Sequence, residues 1–324
     1  MHLLQALHLV LSCNPAFSLT PRQNVHNSVL IIFRLFMITD LILQGISPPS
    51  FLLDRLIEAT GAAHVNMEGE KRIRLKNARR APEFLSLTPF LEGEHLDWGF
   101  IPAGRNLADY RLIAFDMDST LVTIECIDEL ADFAGRKAEA AAITESAMQG
   151  EIDYAESLSR RLALLAGLDA CALARVYSER LEFSPGAREL LVACQRAGMR
   201  SAILSGGFTY FTERLRIELG LDFATSNELE IAGGKITGRV VGTIIDAEVK
   251  AAHLVRLKTD LGIDTRDVIA VGDGANDLLM MAEAGLSVAY QAKPSVRAKA
   301  DVVINRGGLD SLLCLLQGES SSAR

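Results

Sequence analysis

Four short apolar runs recur along the chain: Leu112–Phe115, Ser201–Leu204, Val268–Val271 and Leu286–Ala289, bounded by Gly, Asp or Ser. Between them the apolar positions take helical spacing, over Ala187–Ala197, Tyr210–Leu219, Ala247–Leu261 and Asp277–Ala284. Buried-strand runs alternating with amphipathic helices predict a doubly wound α/β fold around a parallel sheet. In such sheets a ligand site lies beyond the carboxyl ends of the strands. From Cys126 to Leu181 the pattern is helical throughout and rich in Ala, Leu, Glu and Arg. That stretch predicts a helical cap inserted after the first strand, placed to cover a site at the strand ends. Glu228–Ile245 alternates instead, with Leu229, Ile231, Ile236 and Val240 around Gly233-Gly234, and predicts an antiparallel hairpin appended to the sheet.

Upstream the texture is mixed. Phe51–Thr60 has helical spacing, Ala63–Leu75 alternates like strands joined at Glu68-Gly69, and Pro82, Pro89 and Pro102 punctuate a looser stretch. The expected division is an extension over 1–37, a small α+β accessory domain over 38–106 and an α/β domain over 107–318 with the cap at about 126–183. A flexible polar tail over 319–324 follows, and the linker between the two domains is expected near Ile101–Ala108. The apolar runs Leu3–Cys13 and Val29–Ile38 are too short to span a bilayer, and no Lys or Arg precedes the first. Met37 is an alternative start, which would make 1–36 an extension.

With 324 residues, 49% of them hydrophobic and 23% charged, the chain can bury a sizeable core, and global disorder is excluded. A net charge of −8 argues against a nucleic-acid partner, because counterion release needs a basic surface. The basic run Lys71–Arg80 is read as a solvated face. Five scattered cysteines without a CxxC read as reduced thiols of a cytoplasmic protein.

Candidate chemistry sits at the predicted strand ends. Asp116-Met117-Asp118-Ser119-Thr120 follows the first run, with two carboxylates on one side of an extended backbone. Ser205-Gly206-Gly207 follows the second, Lys250 lies early in the Ala247–Leu261 helix, and Gly272-Asp273-Gly274-Ala275-Asn276-Asp277 follows the third. Each alone also reads plainly, as a turn or a helix cap. Together they suit phosphoryl transfer: a carboxylate nucleophile, a proton shuttle, acidic ligands for a hard cation, and a hydroxyl, N–H groups and an ammonium for phosphate oxygens.

These four pieces, in this order, resemble the motifs of the haloacid dehalogenase-like phosphatase superfamily. The resemblance runs from about Arg111 to Gly318, with Asp116, Asp118 and Thr120 as its first motif, then Ser205, Lys250 and the pair Asp273 and Asp277. The stretch Asp116–Val122, with Glu125, Ile127-Asp128-Glu129, Ser205-Gly206-Gly207-Phe208 and the lid segments Ala147–Gly150 and Ser157–Arg161, is similar to the phosphoserine phosphatase family within it. That resemblance implies a Rossmann-like core with a helical cap, and Mg²⁺-dependent hydrolysis of O-phosphoserine through an aspartyl-phosphate, the last step of serine biosynthesis. It implies Asp116 as nucleophile and Asp118 as acid and base, with the metal held by Asp116, Asp118 (through its main-chain carbonyl) and Asp273. It implies Ser205, Gly206, Lys250 and Asn276 on the phosphate, Glu125 on the substrate ammonium and Arg161 on its carboxylate, with Asp277 and Thr120 supporting. Helical geometry separates Arg160 from Arg161 by about 100°, so only one of them can face the site. Met148 and Tyr154 are read as lid packing. The same chemistry on another small phosphomonoester, phosphotransfer, and a non-catalytic amino-acid-sensing module stay open, as does a homodimer. Longer relatives carry ACT-type regulatory domains, and the pattern over 38–106 does not assign one.

Overall fold

A computed structural model of the protein describes residues 38–45, 48–69, 71–148 and 151–318. The expected extension over 1–37, the expected tail over 319–324, and Gln149 and Gly150 of the lid segment lie outside the described residues.

The core strands are β5 (Leu112–Phe115), β6 (Arg200–Phe208), β7 (Phe223–Ala232), β9 (Val268–Gly272), β10 (Leu286–Tyr290) and β11 (Val302–Ile304), all in parallel pairing. They read as near-continuous apolar runs because helices cover both faces of the sheet. Successive side chains of β5 show this: Ile113 and Phe115 enter one hydrophobic core, Leu112 and Ala114 the other. The chain runs from β5 outward through β6 to β7, then returns to β9 on the other side of β5 and continues to β10 and β11. The order therefore reverses between β5 and β9, the position where open α/β sheets bind ligands.

β7 continues past the parallel ladder into an antiparallel hairpin with β8 (Lys235–Val241), turned by Gly233 and Gly234 at φ 56° and 77°. The cap enters after β5 as the helices Cys126–Phe133, Lys137–Met148, Tyr154–Leu164 and Cys171–Glu179. It returns through the bridge between Val122 and Phe183, so both of its chain connections leave the sheet beside the end of β5.

The strands β1 (Thr39–Gln44), β2 (His64–Met67), β3 (Arg72–Ala78) and β4 (Asp97–Pro102) are antiparallel in the order β2-β3-β1-β4, a split βαββαβ arrangement. β4 also pairs with β11, so these strands extend the core sheet to eleven strands. Two sequence expectations change here. The stretch expected to be loose ends in a fully buried strand, β4, which takes in Ile101 and Pro102 of the expected linker. Its two-sided pairing overrides the turn signal of Pro102, which sits at the strand end where a missing N–H is tolerated.

The basic run is solvated only in part: Lys71 and Arg79 are exposed, but two of its arginines turn inward. Arg72 and Arg74 are only 8% and 4% exposed. Arg74 donates to Glu68 and Asp40, and both arginines donate to main-chain carbonyls of the C-terminal segment, Arg72 to Cys314 at 2.6 Å and Arg74 to Gln317 at 2.9 Å. Acidic neighbours and main-chain carbonyls at the end of the last helix outcompete water for these guanidinium groups. Asp97 makes a second tie, accepting the N–H groups of Asn305, Arg306 and Gly307.

Candidate active site

Asp116 is the first residue beyond β5, and its N–H still donates to the Val271 carbonyl of β9 at 3.0 Å. That bond fixes Asp116 against the neighbouring strand end, from which Gly272 leads into Asp273. The Asp116 carboxylate accepts from the Lys250 ammonium at 2.7 Å, and the same ammonium donates to Asp277 at 2.8 Å. Lys250, Asp116 and Asp277 are all buried, at 1%, 5% and 0% exposure. Lys250 arrives on the first turns of the helix Ala247–Asp260, which Asp246 caps by accepting the Val249 N–H. Asp277 in turn accepts the N–H groups of Asp273 and Gly274, which shapes the turn carrying Asp273. Thr120, fully buried, donates to Asp273 at 3.0 Å.

Asp116, Asp273 and Asp277 each offer a carboxylate oxygen within 4.8 Å of one another. Three carboxylates thus cluster with one ammonium bound to two of them, and burial together with the surplus negative charge raises the pKa of Asp116 and Asp273. Burial and the Asp277 charge push Asp116 up to about 7 despite Lys250; burial and the charges of Asp116, Asp277 and Glu125 push Asp273 up to about 8. Burial alone would lower the Lys250 pKa, but Asp116 and Asp277 raise it, so the lysine is a fixed cation. An all-oxygen, net-negative donor set of this kind fits a hard divalent cation. The side chain that joins Asp116 and Asp273 in this cluster is Asp277, which sequence reasoning had placed in support.

Beyond Asp116 the chain turns sharply, with Ser119 at φ 55°, a left-handed conformation uncommon for a residue with a side chain. The turn points Ser119 Oγ at Glu125, to which it donates at 2.8 Å. Asp118 accepts the Cys126 N–H at 2.9 Å, which ties the proton-shuttle candidate to the first cap helix. Burial, then the charges of Glu125 and Asp116, push Asp118 up to about 8, the direction a general acid needs. Crowding by protein, then by Asp128, also raises Glu125.

β6 runs on through Ser205-Gly206-Gly207, which were expected to follow the strand; its ladder with β7 is interrupted between Leu204 and Phe208, and this irregular stretch lies beside Asp118. Ser205 Oγ accepts the Gly207 N–H at 2.8 Å. A β-carbon on Gly207 would lie 2.7 Å from Asp118 Oδ2, and one on Gly206 would collide with the Tyr154 hydroxyl. Tyr154 therefore reaches from the cap down to this stretch, rather than merely filling the lid. Its signal in the sequence was no stronger than that of any other lid aromatic.

The cap also separates its two candidate arginines. Arg160 pairs with Glu156 one helical turn back and is half exposed. Arg161 turns inward, its side chain 11% exposed, 3.8 Å from Asp128 and with its Nε unpartnered by any hydrogen bond. Asn276 is half-buried in the turn Ala275–Asp277, folded over Gly274 beside the carboxylates. The motif residues thus gather where the strand ends meet the cap, with Asp118 and Tyr154 joining the two. A shallow groove lined by Arg216, Asp222, His253 and Arg256 contains none of them.

The family model of haloacid dehalogenase-like hydrolases matches residues 113–282. A phosphoserine phosphatase of Polaromonas sp. (strain JS666) is 57% identical over 216 residues, spanning 65% of this chain and 92% of that protein. The crystal structure of a probable phosphoserine phosphatase from Vibrio cholerae superposes with a TM-score of 0.68 at 36% identity, covering 89% of this chain and 92% of that one. A phospho-aspartyl intermediate analogue of phosphoserine phosphatase gives a TM-score of 0.61 at 38% identity, over 64% of this chain and 99% of the other.

Proposed function

The chain belongs to the haloacid dehalogenase-like hydrolase family, and from that premise we propose that it hydrolyses O-phosphoserine to serine and inorganic phosphate with Mg²⁺ as cofactor. The observation that carries this reading is a buried Asp116, held by Lys250, with a second carboxyl, Asp118, two positions on and tied to the first cap helix.

Asp116 attacks phosphorus through a carboxylate oxygen while the bond to the seryl oxygen breaks, leaving an aspartyl-phosphate. Asp118 gives its proton to the departing seryl oxygen, then takes one from the water that attacks the aspartyl-phosphate. Phosphate leaves and the Asp116 carboxylate is restored. Lys250 spends two of its three N–H donors on Asp116 and Asp277, which leaves a third for a phosphoryl oxygen. Ser205 and the Gly206 N–H hold the other phosphoryl oxygens, with Asn276 beside them. Asp116, Asp273 and Asp277, with the Asp118 carbonyl, would hold Mg²⁺, which when bound neutralises charge on the phosphoryl group.

Substrate choice rests on the cap. Arg161 is a nearly buried guanidinium with donor capacity to spare, suited to a carboxylate, and Glu125, close enough to feel its charge, suits an ammonium. An amino-acid phosphate supplies both partners, and the activity so read is that of the last step of serine biosynthesis in the cytoplasm. Among the described residues no helix is long and apolar enough to cross a membrane.

The test is phosphate release from a panel of small phosphomonoesters, with Mg²⁺ and with chelator. O-phosphoserine should be the preferred substrate, release should stop with chelator, and Asp116→Asn should abolish it. Equal turnover of phosphomonoesters lacking an amino-acid group would overturn the substrate while leaving the chemistry.

A further inference from the structure

Asn227 is 2% exposed and takes no part in the mechanism above. It lies on β7, opposite Phe208, where the β6–β7 ladder resumes after the Ser205–Gly207 interruption. Its side-chain amide spends both ends on main chain. Nδ2 donates to the Gly206 carbonyl at 2.8 Å, and Oδ1 accepts the Ile245 N–H at 2.9 Å. Ile245 immediately precedes Asp246, the cap of the helix that carries Lys250. One buried side chain thus joins the irregular end of β6, which carries Ser205, to the root of the Lys250 helix.

The bond to Gly206 also has a direction. In a trans peptide the carbonyl and the following N–H point opposite ways. Holding the Gly206 carbonyl on Asn227 therefore turns the Gly207 N–H toward Ser205 Oγ, where it donates at 2.8 Å. A hydroxyl that accepts this N–H has its own proton left for another acceptor. We infer that Asn227 is a positioning residue for phosphoryl transfer: by pinning the Gly206–Gly207 peptide it makes Ser205 a hydrogen-bond donor toward the phosphoryl group and fixes that donor relative to Lys250. Without the pin the peptide can rotate, its N–H leaves Ser205, and the hydroxyl is free to turn away.

The inference rests on the phosphatase reading, and its test has one arm that needs no turnover. Asn227→Ala removes both bonds. Asn227→Asp keeps the shape and the acceptor for Ile245 but withdraws the donor from the Gly206 carbonyl. Both are compared with the wild type for kcat and KM on O-phosphoserine, and for inorganic phosphate affinity by calorimetry with Mg²⁺, each at least about 10 °C below the variant's own melting temperature. The expected result is a fall of about tenfold or more in kcat and a comparable weakening of phosphate binding in both variants, since donors aimed at the reacting group carry large rate effects. Variants with a lowered melting temperature but kcat and phosphate affinity within about twofold of wild type would show a merely structural tie and overturn the inference. Wild-type protein that releases no phosphate from any phosphomonoester would contradict the phosphatase reading instead, and phosphate binding would then decide the role of Asn227.

Discussion

The Lys250 ammonium donates to Asp116 Oδ1 at 2.7 Å, with both groups buried. Such a pair sets the nucleophile's direction, and the lysine stays charged because Asp277 sits on its other side. Lys250→Met should lower kcat by at least about a hundredfold, the scale for losing one preorganised charge at a developing anion. It should also cost about 3–5 kcal/mol of stability, because two buried carboxylates lose their partner. Steady-state kinetics and denaturant melts of the variant check both effects; near-wild-type kcat would remove Lys250 from the chemistry.

Asp118 is placed to protonate the leaving oxygen. Asp118→Asn keeps the side-chain oxygen that accepts the Cys126 N–H but carries no acidic proton. Turnover of O-phosphoserine should drop by about 10²–10⁴. Hydrolysis of p-nitrophenyl phosphate, whose leaving group needs no proton, should lose less in the phosphorylation step. Equal losses on both substrates, measured by single-turnover kinetics, would argue against general acid catalysis by Asp118.

The neighbouring arginines of the cap separate substrate recognition from surface charge. Arg161→Ala should raise KM for O-phosphoserine about tenfold to a hundredfold, the range of a lost charge-assisted contact. KM for p-nitrophenyl phosphate should barely move. Arg160→Ala, which removes only an exposed pair with Glu156, should leave both substrates within about twofold. The reverse pattern would assign the carboxylate to Arg160.

Acidity in the carboxylate cluster fixes a pH dependence. Asp116, Asp118 and Asp273 rise from an ordinary 3.8 to about 7, 8 and 8. Between those limits the folded protein holds more protons than the unfolded chain, so their contribution to stability falls as pH rises. It is complete below about pH 4 and lost as pH climbs through about 7 to 8. A divalent cation takes the place of these protons, so its stabilising effect should grow over the same window. Melting temperatures at pH 5.5 and 8, with Mg²⁺ and with chelator, should show the gap widening at pH 8, by about 2–4 °C per kcal/mol. A constant or shrinking gap would contradict a metal on these carboxylates.

Much of this was legible in the sequence because the signal was local. β5, β9 and β10 read directly, since strands buried on both faces are unbroken apolar runs, while β6 continues four residues past its apolar run to Phe208. The polar residues at their ends were marked by type: Asp116, Asp118 and Asp273 stand where strands stop, and Ser205 where the apolar part of β6 gives way to its irregular end. Where partners were distant, the reading failed. β11 is three residues long, and β4 is held by β1 and β11 on either side, contacts no local window contains. Arg72 and Arg74 looked like a solvated face because Asp40, Glu68 and the 314–318 segment are brought to them by folding. Ser119 and Asn227 act through a backbone turn and a peptide orientation, which residue type alone does not encode.

The central claim is that Asp116 itself takes the phosphoryl group. Acid quenching of the enzyme during turnover of O-phosphoserine, followed by peptide mass mapping, tests it most directly. The account predicts one phosphoryl group on the peptide that contains Asp116, absent in Asp116→Asn and absent without substrate. Turnover with the phosphoryl group on another residue, or persisting at the wild-type rate in Asp116→Asn, would contradict it.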